Sequence, residues 1–449
     1  MLSYDVIIAG GGTAGAVAGI ASARAGARTL IIEQSGALGG VASTGMPWGG
    51  MFNSEHTQII FGIPDALVER AVDMGAAGYV HYNTDDGRNW ISALACIDSE
   101  IARLLLREEL GAAGCDVYLY SSVSGAIAEG GRLAAVRVLT RGGDVDIAAK
   151  CFIDATGDAS LAAMGGVNYE RGSGDQRQCI SSLIKISGVD LYKFQTFMNE
   201  HINTDNWYPW NYRDAPTRGG FSYWAPWKDY LDRFRYPPKQ LGFVWSGFNG
   251  DVYLNCTNAA GDGLDALELS RADLIIRRQA REIQEFLRER PPGFENSCLS
   301  HIYDIGVRES RRIVGLTRVT LDDLLSGRKF ADAVGLASYP PDHHTPPGDV
   351  KIVTHHDITR SNHAPAYEIP YSCMVNERVP NLITAGRCVS ATFDAQTALR
   401  GIGPCMVEGE AAGEAAALAA AEGYVFPELP ASKLQQRLIQ NGVYIGEHI

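Results

Sequence analysis

One segment constrains this 449-residue chain more than any other: "DVIIAGGGTAGAVAGIASARAGARTLIIEQ", from Asp5 to Gln34. Val6 to Ala9 is short, apolar and partly β-branched, which predicts a buried parallel strand. Gly10, Gly12 and Gly15 then form GxGxxG. The first glycine permits a tight turn, the second lets backbone approach a pyrophosphate, and the third lets the following helix pack closely on the strand. The helix is expected over residues 14–25, with Gly26 as its stop. Thr29 to Ile32 reads as a second strand ending at Glu33. An acid about 20 residues past the glycines is placed to bind a ribose hydroxyl. It would repel a phosphate there, so NADP is disfavoured and an unphosphorylated, ADP-containing dinucleotide is expected.

The next segment, "QSGALGGVASTG" (Gln34 to Gly45), is a second glycine loop directly after the ribose acid. An ordinary NAD site does not call for it. An extended cofactor lying along the backbone does, and a plain surface loop is the competing reading. "DSEIARLLLREELGAAG" (Asp98 to Gly114) predicts an amphipathic helix capped by Asp98 or Ser99 and stopped by Gly111 or Gly114. Runs at Val117 to Tyr120, Ala134 to Thr140 and Val145 to Ala148 suggest a small antiparallel meander. Cys151 to Ala155 reads as another buried strand, ending in Ala155-Thr156-Gly157-Asp158.

The middle of the chain changes character. Five of the seven tryptophans (Trp207, Trp210, Trp224, Trp227 and Trp245) fall there among tyrosines and prolines. They suit an aromatic cap or dimer surface, or a wall over a ring-shaped or sugar-like substrate. A long charged helix is expected from Ala266 to Arg290, ahead of Pro291-Pro292. The first style returns at Asn381 to Ala385, a strand, then "GRC" at Gly386 to Cys388, then a small-residue helix with Pro404 as its first residue. The expected fold is α/β. A Rossmann-like nucleotide domain is contributed by residues 1–170 and 376–449, with an α+β substrate or cap domain inserted at 171–375.

Bulk properties exclude several classes. Hydrophobic residues are 46% of the chain and charged residues 20%, so a large core is affordable and long disorder is not expected. A net charge of -13 argues against nucleic acid or an anionic membrane as the main partner. Nine scattered cysteines with no CxxC pair suit reduced thiols in a cytoplasm and disfavour disulfide-reductase chemistry. The start of the chain does not read as an export signal.

Four segments together carry a resemblance. They are GxGxxG with Glu33, "LGG" at Leu38 to Gly40, "FIDATGDASLAA" at Phe152 to Ala163, and "NLITAGRCVSATFDAQTALRGIGPCMVEGEAAGEAAALA" at Asn381 to Ala419. "GVRESRRIVG" (Gly306 to Gly315) and "RPPGFENSCLSHI" (Arg290 to Ile302) extend it over nearly the whole chain. The chain resembles bacterial FAD-dependent oxidoreductases of the glutathione-reductase fold, distant kin of the fumarate reductase and succinate dehydrogenase flavoproteins. The resemblance implies FAD, with Gly10, Gly12 and Gly15 at the pyrophosphate and Glu33, followed by Gln34, at the adenosine ribose. It further implies that Gly39 and Gly40 follow the cofactor and that Val123 meets the adenine through its backbone. Ala155, Thr156 and Gly157 would form a second phosphate-side turn. Gly386 and Arg387 would lie beside the pyrophosphate or ribityl chain, and a helix starting near Gly403 to Cys405 would point its positive end at the flavin.

Flavin chemistry leaves donor orientation and proton handling to the protein. Arg400, just before the flavin-facing helix, suits contact with substrate or a flavin carbonyl, or a structural role on backbone carbonyls. Arg308, Arg311 and Arg312 cluster in GVRESRR. On a helix Arg308 and Arg312 would share a face, clamping an anion or making a salt-bridged domain contact. "DHH" at Asp342 to His344 and "THHDITRSNH" at Thr354 to His363 supply five histidines. No HxxxH spacing occurs among them, so a metal site is not expected. His344 is the first candidate for a base or hydrogen-bond donor, and His56 the second. The expected activity is hydride transfer between FAD and a small polar organic substrate, as dehydrogenase or reductase. An oxygen-using oxidase or hydroxylase and a non-redox FAD-containing binding protein are the alternatives. Substrate, electron partner and any homo-oligomer are left open.

Overall fold

Leu2–Ala9 is the axis of the main sheet. It pairs in parallel with Thr29–Ile32 on one side and with Gly143–Asp154 on the other. The computed structural model describes residues 2–81, 92–172, 177–201, 208–210, 219–223, 233–236, 241–245, 250–344 and 363–446. Asp116–Tyr118 extends the parallel part beyond Thr29–Ile32, and Leu382–Thr384 pairs in parallel with the far half of Gly143–Asp154. The near half of that long strand instead pairs antiparallel with Arg132–Thr140, which pairs with Ser122–Glu129. The meander is therefore Ser122–Glu129, Arg132–Thr140 and Gly143–Asp154. This corrects two sequence expectations. The run at Val117 to Tyr120 joins the parallel sheet, and the runs at Val145 and Cys151 are one continuous strand. One strand can serve both patterns because its first half is half-exposed and its second half is buried on both faces.

Helix Thr13–Arg24 packs along helix Ile402–Glu422, and both are made mostly of small residues. Ile402–Glu422 is buried on every side from Ile402 to Ala419, the pattern of a helix set inside a core. A left-handed Gly423 ends it. Helix Ser99–Ala113 flanks the sheet. Its Asp98 cap accepts from the Glu100 and Ile101 amides at 2.9 and 3.2 Å, an arrangement worth about 1 kcal/mol.

A second sheet has six strands in the order Tyr208–Trp210, Gly219–Tyr223, Leu241–Trp245, Val252–Leu254, Ile184–Ser187 and Cys298–Ile302, all antiparallel. Helix Ala266–Glu289 lays Ala280, Ile283 and Leu287 on Ile184, Ile186, Val252 and Leu254. Phe194 and Phe294 meet edge to face at 4.9 Å in that core. The two layers touch where Tyr303 Oη donates to Ser99 Oγ at 2.7 Å, with Tyr253 Oη 3.3 Å from the same hydroxyl. Trp210 and Trp245 fall in strands of this sheet, while Trp207, Trp224 and Trp227 lie outside the described residues. Among the described residues no helix is long and apolar enough to cross a membrane.

The GVRESRR segment is not helical. Arg311–Ile313 is a strand paired with Tyr169–Arg171, so Arg308 and Arg312 do not share a helix face. They enter separate networks. Arg312 is buried and donates to Glu309, the Gly172 carbonyl and the Ala391 carbonyl, the structural role among the two expected.

Candidate active site

Four loops converge at the C-terminal ends of the parallel strands. Gly10 has φ 94°, and any side chain there would sit 2.6 Å from the Ala155 carbonyl oxygen, so only glycine lets these two turns lie together. The second glycine loop docks on the first: Gly39 N–H donates to Gly11 O at 2.8 Å, and Thr13 Oγ1 donates to Gly39 O at 3.0 Å. Glu33 is 9% exposed, and its two carboxylate oxygens accept from the Gly11 and Ser35 amides, each at 2.7 Å. Its carbonyl accepts from Ser121 N–H at 3.0 Å, which brings the strand carrying Val123 beside the acid. Gln34 is exposed next to it.

The third loop is Ala155-Thr156-Gly157. Asp154 is fully buried under it and accepts from the Thr156 amide, the Thr156 hydroxyl and the Ala162 amide at 2.7 to 3.0 Å. Burial pushes this carboxyl above the usual range, against the pull of those bonds. Gly157 has φ 74° and leaves space for the Arg387 guanidinium, whose Nη2 donates to Asp158. In the fourth loop, Gly386 N–H donates to Glu408 at 2.6 Å. Glu408 is completely buried, and desolvation pushes it well above the ordinary carboxylate range, against the pull of the Gly386 amide.

Beyond these loops lies a second cluster. The Tyr339 ring packs on the bare backbones of Gly49 and Gly401, at the start of helix Ile402–Glu422. Arg400 Nη2 donates to the Asp342 carbonyl at 2.6 Å and lies 3.4 Å from Asp342 Oδ2. The same Oδ2 meets His344 Nε2 at 2.8 Å. Asp342 can only accept, so His344 carries its hydrogen on Nε2 and leaves Nδ1 as an acceptor. Burial, then the positive charge of Arg308, pull His344 down to about 4, against the opposing effect of Asp342. Its ring is neutral at pH 7.

Arg400 and His344 are thus brought together, with Asp342 between them. His56 is not: it is exposed, with φ 62°, in a turn held by Asn53, and the described bonds joining Arg400 to His344 do not include it. His355 and His356 lie outside the described residues, and among those described no group of three or more side chains is arranged to hold a metal. Two details of the flavin-facing helix differ from expectation. It begins at Ile402, which puts Pro404 third, and Gly403 N–H is taken by the Gly49 carbonyl at 3.2 Å. Cys405 is buried with its thiol pointed at the Leu399 carbonyl. Asp342, Tyr339, Asp154, Asp158 and Glu408 were not singled out from sequence. Asp342 had one available signal, its place in the same "DHH" as His344.

The residues present fit an extended dinucleotide. The Gly10 turn lies directly against the Ala155 turn, Gly12 has nothing within 4 Å of an added side chain, and Arg387 Nε is buried without a hydrogen-bond partner among the described residues. A Rossmann-type βαβ unit with these glycine turns at its strand ends defines a dinucleotide-binding protein. The chain belongs to the FAD dependent oxidoreductase family, whose model matches residues 5–438. It is an enzyme, and its cofactor is FAD. Over 247 residues it is 27% identical to the digeranylgeranylglycerophospholipid reductase of Methanoculleus marisnigri, covering 52% of this chain and 60% of that protein. The chain therefore spans about three fifths of that curated relative's length. Among solved structures, a geranylgeranyl bacteriochlorophyll reductase-like protein from Thermoplasma acidophilum is similar at TM-score 0.47 and 14% identity, covering 100% of this chain and 85% of that one. A p-nitrophenol 4-monooxygenase from Pseudomonas putida is similar at TM-score 0.49 and 11% identity, covering 100% and 90%.

Proposed function

We propose that the protein is a dehydrogenase or reductase that moves a hydride between FAD and a small polar organic substrate in the cytoplasm. The observation that carries this reading is the Arg400–Asp342–His344 cluster at the start of the helix that follows the dinucleotide loops. We assign the pyrophosphate to the backbones of Gly10, Gly12, Gly15, Gly39 and Gly40 and to the turn at Ala155, Thr156 and Gly157. Glu33 takes the adenosine ribose and Val123 the adenine. Gly386 and Arg387 hold the middle of the cofactor, and the backbone at Gly403 and Cys405 its flavin end. Residues 1–170 with 376–449 form the FAD-binding domain, of glutathione-reductase type and distantly related to fumarate reductase flavoproteins. Residues 171–375 form the substrate cap. The main sheet drawing strands from both ends of the chain supports that division.

Bound FAD supplies the two-electron redox centre. Arg400 orients the substrate by a fixed fork of donors, itself held by the Asp342 carbonyl. A ring with a pKa of about 4 stores no proton at neutral pH, so His344 Nδ1 accepts a hydrogen bond from a substrate O–H or N–H. Tyr339 walls the site and excludes water. The test is an anaerobic visible absorption spectrum of the purified protein, titrated with sugars, hydroxy acids, amino acids and reduced nicotinamides. Bleaching by one class would support the reading. Bleaching followed by turnover that consumes oxygen and hydroxylates the substrate would favour the oxygen-using alternative. A bound flavin that dithionite cannot bleach would sink redox function altogether.

A further inference from the structure

Arg308 and Arg400 are joined by one continuous network. Arg308 Nη1 donates to the Cys179 carbonyl at 2.9 Å, and Cys179 N–H donates to the His344 carbonyl at 2.7 Å. His344 meets Asp342 at 2.8 Å, and Asp342 meets Arg400. A second tie runs through Gln396, a fully buried residue whose Nε2 donates to the Arg308 carbonyl at 3.0 Å; it lies on helix Phe393–Leu399, which Arg400 caps. Both guanidiniums are thereby fixed to the same scaffold.

Their donors are mostly unspent. Each guanidinium has five N–H groups. Among the described residues Arg308 engages only Nη1 and Arg400 only Nη2, and Arg400 Nε is buried without a partner. The charges do not cancel either. Two arginines face one carboxylate, Asp342, while His344 is neutral and burial keeps Tyr339 protonated. Burial, together with the charge of Arg400, lowers Arg308 from its ordinary range, with Cys179 and Asp342 opposing. A half-buried net positive charge with idle planar donors is costly unless an anion completes it.

We propose that this enzyme's substrate carries a carboxylate, bound by the idle donors of Arg308 and Arg400. The inference rests on the reading of this cluster as the substrate side of the FAD site. Planar guanidinium forks match a planar carboxylate in two-point contact, which an alcohol or amide cannot match in charge. Asp342 and His344 then have separate work. Asp342 holds Arg400 and the His344 tautomer, and His344 Nδ1 is left for the substrate's reacting O–H or N–H.

The test uses the oxidised FAD-loaded protein, titrated with acetate, butyrate and benzoate and with their amides, reading the visible flavin band and protein fluorescence. At least one acid is expected to bind saturably, at least 10-fold more tightly than its amide. R308M and R400M, with FAD content matched to wild type, are each expected to weaken that acid at least 10-fold. Should a methionine variant fail to fold, R308K and R400K replace it, keeping charge but losing the fork, and are expected to weaken the acid at least 3-fold. Acids binding no better than amides in a protein whose flavin is bound and bleached by dithionite would overturn the proposal while leaving the redox reading intact. Unchanged acid affinity in the folded variants would overturn it equally. A protein that binds no FAD would overturn the reading beneath it as well.

Discussion

Arg387 Nη2 lies 2.5 Å from Asp158 Oδ1, and the same carboxylate oxygen accepts from Ser310 Oγ at 2.6 Å. One oxygen thus fastens three segments distant in sequence: the Ala155–Gly157 turn, the GVRESRR segment and the GRC loop. Asp158→Asn keeps the shape and removes the charge that holds Arg387. Losing one charge-assisted hydrogen bond costs about 1.5–3 kcal/mol. FAD affinity is therefore expected to fall roughly 10- to 100-fold in apoprotein reconstitution followed by flavin fluorescence. Ser310→Ala, which leaves the ion pair, is expected to lose far less. Equal FAD affinity in D158N and wild type would remove Arg387 from the cofactor site.

Two glycine-to-alanine changes are expected to act with opposite sign. A methyl at Gly409 would fall inside contact distance of the Ala14 carbonyl, where helices Ile402–Glu422 and Thr13–Arg24 press together. Overpacking there should cost about 1–3 kcal/mol. Gly111 lies on the exposed side of helix Ser99–Ala113 with nothing within 4 Å of an added methyl. G111A should gain about 0.5–1 kcal/mol through helix propensity. Thermal unfolding followed by circular dichroism tests both, and a shift of the same sign in the two variants would contradict the packing argument.

What the sequence made legible follows from how local the cause is. The strand–turn–helix of residues 2–24 and the cap at Asp98 depend on residues a few positions apart, and both stand where the pattern puts them. Two of the three meander runs pair as expected, but alternation at Val117 does not reveal which strand it joins, and that choice is made by Thr29–Ile32 across the sheet. In GVRESRR the spacing would put Arg308 and Arg312 on one face only if the segment were helical, and it is not. Its buried arginine is instead satisfied by Glu309 and by two carbonyls far away in sequence. Arg400 and His344 could be picked singly from composition and position. His344 has its Asp342 partner two residues away, but that Arg400 joins the same Asp342 is a tertiary fact without local spacing, as is the buried Glu408 beneath Gly386.

Glu410, on helix Ile402–Glu422, sets a stability trend of its own. Its oxygens accept from the Ile63 amide at 3.1 and 3.3 Å, and burial raises it to about 8. A carboxyl whose folded pKa lies above its unfolded value of 4.5 contributes stability that is full below pH 4.5 and is lost as pH rises through about 8. Glu410→Gln keeps an acceptor for Ile63 and cannot ionise. The variant should gain on wild type steadily from pH 4.5 to 8 in paired melting curves. Curves that stay parallel over that window would show that Glu410 does not titrate as its burial requires.

His344 is expected to behave in the reverse way. Its folded pKa of about 4 lies below the ordinary 6.5, so the folded protein gives up stability as pH falls from 6.5 through 4, when only the unfolded chain takes the proton. The cause is divided between burial, the first contributor, and the positive charge of Arg308, with Asp342 working against both. That division makes two variants move in opposite directions. Arg308→Gln removes a repelling charge and should raise the His344 pKa, while Asp342→Asn removes the attracting carboxylate and should lower it further. Histidine ring resonances followed by NMR between pH 4 and 8, assigned by loss of the signal in His344→Gln, would report each shift. A wild-type midpoint near 6.5 would mean the ring is charged over much of the working range, and the hydrogen-bond role assigned to Nδ1 would have to be abandoned.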